Sequence, residues 1–196
     1  MPSSLPPATR AIIAANVIAY LLQQVAGDAM VQLLALWPLG TLFQPWQIIS
    51  YAFLHGSIAH IFFNMFALFM FGRPLEYFWG SARFTVYYFA CVIAAALTQL
   101  TTAALAGSQE PTIGASGGVF GLLLAFAMYF PRQRIVLLFP PIPMPAWLFV
   151  LLYAVLELVL GVTNTQAGIA HFAHLGGMLG GALVILYWRA RHTPRS

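Results

Sequence analysis

Positive charge is confined to the seams of this chain. Its eight cationic side chains are all arginines, at positions 10, 73, 83, 132, 134, 189, 191 and 195. The runs between them are overwhelmingly apolar: 61% of the 196 residues are hydrophobic and 6% are charged. A soluble domain carries about 25% charged residues. Such a chain cannot cover a water-facing surface, so it must fold in lipid as an integral membrane protein. In lipid every backbone polar group needs a partner within the protein, which restricts apolar runs of this length to helices.

The breaks divide the chain into six expected helices near 9–26, 49–71, 82–106, 115–131, 145–162 and 168–190. They fall at Gly27-Asp28, Gly72-Arg73-Pro74, Gly107 to Pro111, the proline cluster 140–145, and Gly161 to Gly168. No internal repeat is evident, and residues 1–196 read as one all-α polytopic domain. With a cytoplasmic N-terminus every arginine falls inside, whereas Asp28 and Glu110 fall in outer loops. The positive-inside rule then gives an N-in, C-in arrangement. A cleaved signal peptide competes for the first run, since 11–22 has the length of its apolar core; the charge balance favours a retained span. The single cysteine, Cys91, excludes a disulfide framework within the chain. No basic cluster points to nucleic acid.

In this topology helices 2, 4 and 6 all start from the outer face. His60 and Asn64 are expected two to four turns into helix 2, Ser116 at the start of helix 4, and His174 about two turns into helix 6. The fourth span, with roughly 16 residues, covers about 24 Å against a hydrocarbon core of about 30 Å. Its N-terminus therefore falls below the bilayer surface, where irregular backbone must be buried in protein or line a wet cavity.

That N-terminus reads Gly114-Ala115-Ser116-Gly117-Gly118. Glycine admits a close backbone or substrate approach, and the free N–H groups of a helix start favour a developing oxyanion. A small-residue packing surface is the bland alternative. A serine nucleophile needs a base, and Ala170-His171-Phe172-Ala173-His174 offers two histidines on roughly one face. Gly177 and Gly181, with Gly117 and Gly121, have the small-xxx-small spacing that lets two helices approach closely. His60 and Asn64 share a face four residues apart, suiting either an oxyanion hole or interhelical hydrogen bonding. His55 lies nearer the loop and is expected to order it. His60, His171 and His174 could in principle ligate zinc, but the H-E-x-x-H pattern is missing and no acid stands beside them as base; metal is not expected. Glu157, the one acid inside a span, is expected near the outer interface, hydrogen-bonded and partly hydrated, with no chemistry beyond a conceivable part in lateral gating, and Glu76 reads as structural.

With these residues in view the chain resembles the rhomboid family of intramembrane serine proteases. The resemblance covers almost the whole chain: H-x-x-x-N as His60 and Asn64, G-x-S-G as Gly114-Ala115-Ser116-Gly117, and A-H-x-x-G as Ala173-His174-Leu175-Gly176-Gly177. It implies Ser116 as nucleophile and His174, rather than His171, as general base, a dyad without a carboxylate. It implies an oxyanion hole from His60, Asn64 and the Ser116 N–H, with Gly114, Gly117, Phe120 and His171 supporting. Glu76 matches the family's glutamate after the glycine that ends helix 2, and Asp28 through Gln47 match its first loop. Two positions depart. Trp46-Gln47 stands where many members carry Trp-Arg, removing an arginine anchor from the loop. Phe120 stands where many carry a tyrosine stacked on the catalytic histidine; phenylalanine can stack but has no hydroxyl.

The resemblance further implies a peptidase acting on transmembrane proteins that reach it laterally from lipid, with no cofactor and no required oligomer. A bacterial cytoplasmic membrane is the expected location, with the site open to the outer face. Two other classes compete with this reading. A non-enzymatic binder of transmembrane clients has no need of both Ser116 and His174. A small transporter would need polar groups in the inner halves of the spans, which are lacking.

Overall fold

The computed structural model describes residues 4–40, 42–137, 140–163 and 170–192. Four helical stretches are long and apolar enough to cross a membrane: Ile58–Trp79, Ser81–Ala106, Ala146–Thr163 and His171–Arg191. The chain is a mostly helical integral membrane protein. In order, the elements are α1 (Pro7–Ala26), α2 (Asp28–Leu34), α3 (Gln47–Ser50) with a 3-10 turn Tyr51–Phe53, and α4 (Ile58–Ala67). A π-helical turn, Leu68–Gly72, joins α4 to α5 (Arg73–Trp79). Then come α6 (Ser81–Ala106), α7 (Ser116–Tyr129), β1 (Arg134–Val136), β2 (Pro143–Pro145), α8 (Ala146–Thr163) and α9 (His171–His192). The strands form an antiparallel hairpin with Arg134 opposite Pro145.

Helix α7 lies at the centre. Gly117, Gly118, Val119, Phe120, Gly121, Leu122, Leu123, Ala125, Phe126 and Ala127 are all buried, leaving few of its residues for lipid. Small residues allow this. A Cβ on Gly177 would overlap the Gly117 carbonyl, so α7 and α9 meet backbone to backbone, and one on Gly121 would overlap Cys91 Sγ, so the side chains of α6 pack directly on the α7 backbone. The Tyr51 hydroxyl donates to the Val92 carbonyl (2.9 Å) and the Tyr87 hydroxyl to that of Gly121 (2.7 Å), so both buried phenols have partners.

The second span differs from the expected 49–71 at both ends. Residues 47–53 form a separate short helix and turn, and the long helix starts only at Ile58, where the Ser57 hydroxyl accepts the His60 N–H (3.1 Å). At the other end Gly72-Arg73-Pro74 does not break the helix. Proline has no N–H and its ring clashes with the carbonyl four residues back. The π turn immediately before it shifts the hydrogen-bond register, and the helix continues to Trp79. The break falls instead at Gly80, whose φ of 79° suits glycine. Helix α8, Ala146–Thr163, keeps close to the expected 145–162, with Gly161 in its last described turn. The expected start of the last span at 168 and Arg195 lie outside the described residues.

Two buried side chains fasten the bundle. Glu76, 2% exposed, accepts the Ala8 N–H (2.8 Å), the Thr9 N–H (2.6 Å), the Thr9 hydroxyl (2.7 Å) and the Ser81 hydroxyl (2.6 Å). It thus caps the start of α1 from another helix, in keeping with its structural reading. Gln47, fully buried, accepts the Trp37 N–H (3.3 Å) and Gln44 N–H (3.1 Å), and donates to the carbonyls of Leu33 (3.4 Å) and Leu42 (3.1 Å).

Candidate active site

Three helices begin at one place. Because α4 starts at Ile58 and α9 at His171, His60 and His174 lie in the first turns of their helices, as Ser116 does in α7, and Asn64 lies one turn further on. These depths are shallower along each helix than the sequence suggests, and they agree with one another more closely.

The backbone leading to Ser116 is held by long-range hydrogen bonds. Leu36 and Thr112 pair as an isolated antiparallel bridge (3.0 and 2.9 Å), and the Gly114 N–H donates to the Tyr51 carbonyl (2.9 Å). Gly114 adopts φ 127°, and a Cβ there would lie 2.8 Å from His60 Cε1 and Nε2. Position 114 therefore requires glycine twice over, for its backbone and for the imidazole lying against it. The first-turn N–H groups of α7, that of Ser116 among them, have no acceptor within the helix.

Close packing of Gly177 on the Gly117 carbonyl brings His174 to Ser116: Nε2 lies 2.8 Å from Oγ. Phe120 stacks on the His174 ring, 4.2 Å between centroids and 5° between planes, and Tyr153 stacks on Phe120 at 5.1 Å and 13°. The stacking expected of phenylalanine at 120 is present. Its missing hydroxyl leaves orientation of the imidazole about the stacking axis to another group.

Glu157, on α8, also meets this ring. Its Oε2 lies 2.9 Å from His174 Nδ1 and 2.7 Å from His171 Nδ1, and the carboxylate is 5% exposed. With a proton on His174 Nδ1, Nε2 presents a lone pair to the Ser116 hydroxyl. His171 does not share this geometry: its Nδ1 turns to Glu157, and its buried Nε2 has no hydrogen-bond partner among the described residues. The contact with Glu157 was missed in the sequence. The sequence reading made this acid partly hydrated, whereas it is buried; the available signal was an ionisable group within a span, which is functional by default.

His60 Nδ1 accepts the Gly56 N–H (3.4 Å), which puts the ring proton on Nε2, beside Gly114. Asn64 donates Nδ2 to the His60 carbonyl (3.0 Å) and is 7% exposed. His55 is 1% exposed and meets the His60 ring edge-on at 4.9 Å. Its backbone N–H and carbonyl both bond to the Gln23 amide (3.0 and 3.1 Å), tying the turn before α4 to α1. Burial, reinforced by His60, pushes its pKa down from the ordinary histidine value to about 4, leaving the ring neutral near pH 7.

The donor atoms of Glu157, His171 and His174 lie within 4.8 Å of one another, a set of the kind zinc takes. His60 is not part of that group. At Zn–N and Zn–O distances near 2.0–2.1 Å, two tetrahedral ligands stand about 3.3 Å apart. Contacts of 2.7 and 2.9 Å are shorter than that and fall in the range of charge-assisted hydrogen bonds.

Comparison with known proteins places these residues in context. The Rhomboid domain family model matches residues 42–191. The chain is 36% identical over 139 residues to "Rhomboid protein 1, mitochondrial" of Saccharomyces cerevisiae, covering 70% of this chain and 40% of that protein. It is 29% identical over 200 residues to "Rhomboid protease GlpG" of Serratia proteamaculans, covering 97% of this chain and 65% of that one. With "Rhomboid protease GluP" of Bacillus subtilis it shares 29% identity over 136 residues, 69% of this chain and 24% of the relative. The chain thus spans less than two thirds of each of these relatives.

Proposed function

The chain belongs to the rhomboid family, and from that premise we propose that it is an intramembrane serine endopeptidase that cleaves transmembrane segments of other membrane proteins near their outer ends. The observation that carries this reading is the 2.8 Å approach of His174 Nε2 to Ser116 Oγ. His174 takes the Ser116 proton as Oγ attacks the scissile carbonyl, then gives it to the leaving amine, producing an acyl-enzyme. Water from the outer side, deprotonated by His174, attacks the ester and releases Ser116. The developing oxyanion is stabilised by the Ser116 N–H at the start of α7, by His60 Nε2–H and by the Asn64 amide.

The fold bears on access and location. In this reading α1 and the 14-residue α7 join the four long apolar helices to make six spans, N-in and C-in, within one domain. Substrate enters laterally between α4 and α8, whose outward residues Phe62, Phe63, Leu152, Leu156 and Val159 are exposed and apolar. It must unwind before attack, because helical backbone is hydrogen-bonded and shielded. The enzyme needs no cofactor and no second copy. Its membrane is a bacterial cytoplasmic one, with the site open to the outer face.

The test uses a fluorophosphonate probe and a transmembrane model substrate with purified wild type, Ser116→Ala and His174→Ala. Wild type is expected to be labelled and to cleave, and both variants to do neither while remaining folded. Substantial turnover by a clean Ser116→Ala preparation, or a folded and accessible wild type that takes no label, overturns the assignment.

A further inference from the structure

The dyad that the family resemblance implies leaves a question open in this chain: what fixes the tautomer and the rotation of His174. Phe120 sets the plane of the ring by stacking on it, but a stacked ring can still turn within that plane. No hydroxyl at position 120 is available to stop it. The 2.9 Å contact from His174 Nδ1 to Glu157 Oε2 supplies the stop.

We infer that Glu157 is a positioning residue that converts the Ser116–His174 pair into a triad, its carboxylate holding the His174 Nδ1–H and stabilising the imidazolium formed during attack. This deepens the serine-peptidase reading and rests on it.

Three features support the assignment. The three groups are colinear in chemistry: carboxylate to Nδ1 at 2.9 Å, then Nε2 to hydroxyl at 2.8 Å. This is the order in which a Ser-His-acid triad passes orientation to its nucleophile. Next, Glu157 is 5% exposed and His174 9%, so water does not compete for the Nδ1–H and the contact is not an incidental surface pair. Finally, one oxygen, Oε2, receives both His174 and His171 (2.9 and 2.7 Å). Two N–H donors on one oxygen balance a carboxylate that would otherwise be stranded, and they fix it from α9 while its own backbone belongs to α8. His171 then acts on the carboxylate and not on Ser116.

A purely mechanical role, fastening α8 to α9, predicts lost stability without a selective effect on the chemical step. The decisive experiment therefore separates binding from chemistry. Wild type, Glu157→Gln and Glu157→Leu are purified in detergent, and covalent modification by a fluorophosphonate is followed as a function of probe concentration. In this reaction Ser116 Oγ bonds to phosphorus, fluoride leaves and His174 takes the proton, so the limiting rate reports the dyad and the half-saturating concentration reports binding. Selective 15N-histidine NMR reads the tautomer of His174 in the same samples.

Both variants are expected to lose at least tenfold in limiting rate with half-saturation within threefold of wild type, and His174 to lose its pure Nδ1–H tautomer. In soluble triads disabling the acid costs about 10⁴ in kcat. A limiting rate within tenfold of wild type in either folded variant overturns the triad while leaving Ser116 and His174 as the reacting pair. Should the leucine variant fail to fold, the near-isosteric glutamine decides alone. Absence of labelling in folded wild type instead removes the serine-peptidase reading, and the triad with it.

Discussion

Gln47 commits both ends of its amide to the backbone of the first loop, accepting from Trp37 and Gln44 and donating to Leu33 and Leu42. An arginine can only donate, so this amide is a different anchor at the same place in the chain and not a weakened one. Glu157 and Gln47 share a lesson. Spacing within a helix pairs His60 with Asn64 and sets His171 and His174 on one face, while the choice of His174 and the place of Phe120 came from the family resemblance. The contacts of Glu157 and Gln47 join elements whose approach no local pattern encodes, so one side chain was assigned no chemistry and the other read as a lost anchor. Gln47→Ala strands two buried donors and two acceptors, each costing about 1–3 kcal/mol where water cannot replace the partner. Gln47→Glu keeps the shape but sets carboxylate oxygen against two carbonyls. Both are expected to lower the thermal unfolding midpoint, Glu at least as far as Ala. A glutamate variant that melts with wild type would show that the loop is held by something else.

Among the elements, the joint between α4 and α5 was misjudged for a definable reason. Gly-Arg-Pro is a break signal in the local code, but a π turn one step upstream absorbs proline's missing hydrogen bond, and composition carries no sign of it. The glycine faces of α7 and α9 were legible because small-xxx-small spacing is itself the packing rule. They also set the distance between His174 and Ser116. Gly177→Ala inserts a methyl into the Gly117 carbonyl, so α9 must move away from α7 and carry His174 from Ser116. Overpacking of this kind costs about 1–3 kcal/mol, and a displacement near 1 Å can cost about 10²-fold in rate. The expected outcome is a folded, less stable protein whose fluorophosphonate labelling falls by tenfold or more. Gly40→Ala is the control, since its Cβ meets nothing nearer than the Pro38 carbonyl at 4.0 Å, and it should label as wild type does.

Across the whole molecule, the arginines and the candidate site lie at opposite ends of α7. Ser116 opens that helix beside His60 and His174; Tyr129 closes it, with the Arg189 guanidinium 5.5 Å from its ring. Arg83 lies 6.0 Å from the ring of Trp188, near the end of the last helix. Glu76 draws the start of α1, and Arg10 with it, to the start of α6. The described arginines thus gather at the end away from the site, which is the arrangement expected if that end faces the cytoplasm. Loops at the two ends of α7 test the orientation directly. Gln109 and Gln133 are both exposed, and the one native thiol, Cys91, is buried against background labelling. A membrane-impermeant maleimide applied to intact cells should modify Gln109→Cys without permeabilisation and Gln133→Cys only after it. The reverse pattern would put the site on the cytoplasmic side, so that the helix ends it attacks would be inner ends and the water for deacylation would come from within the cell.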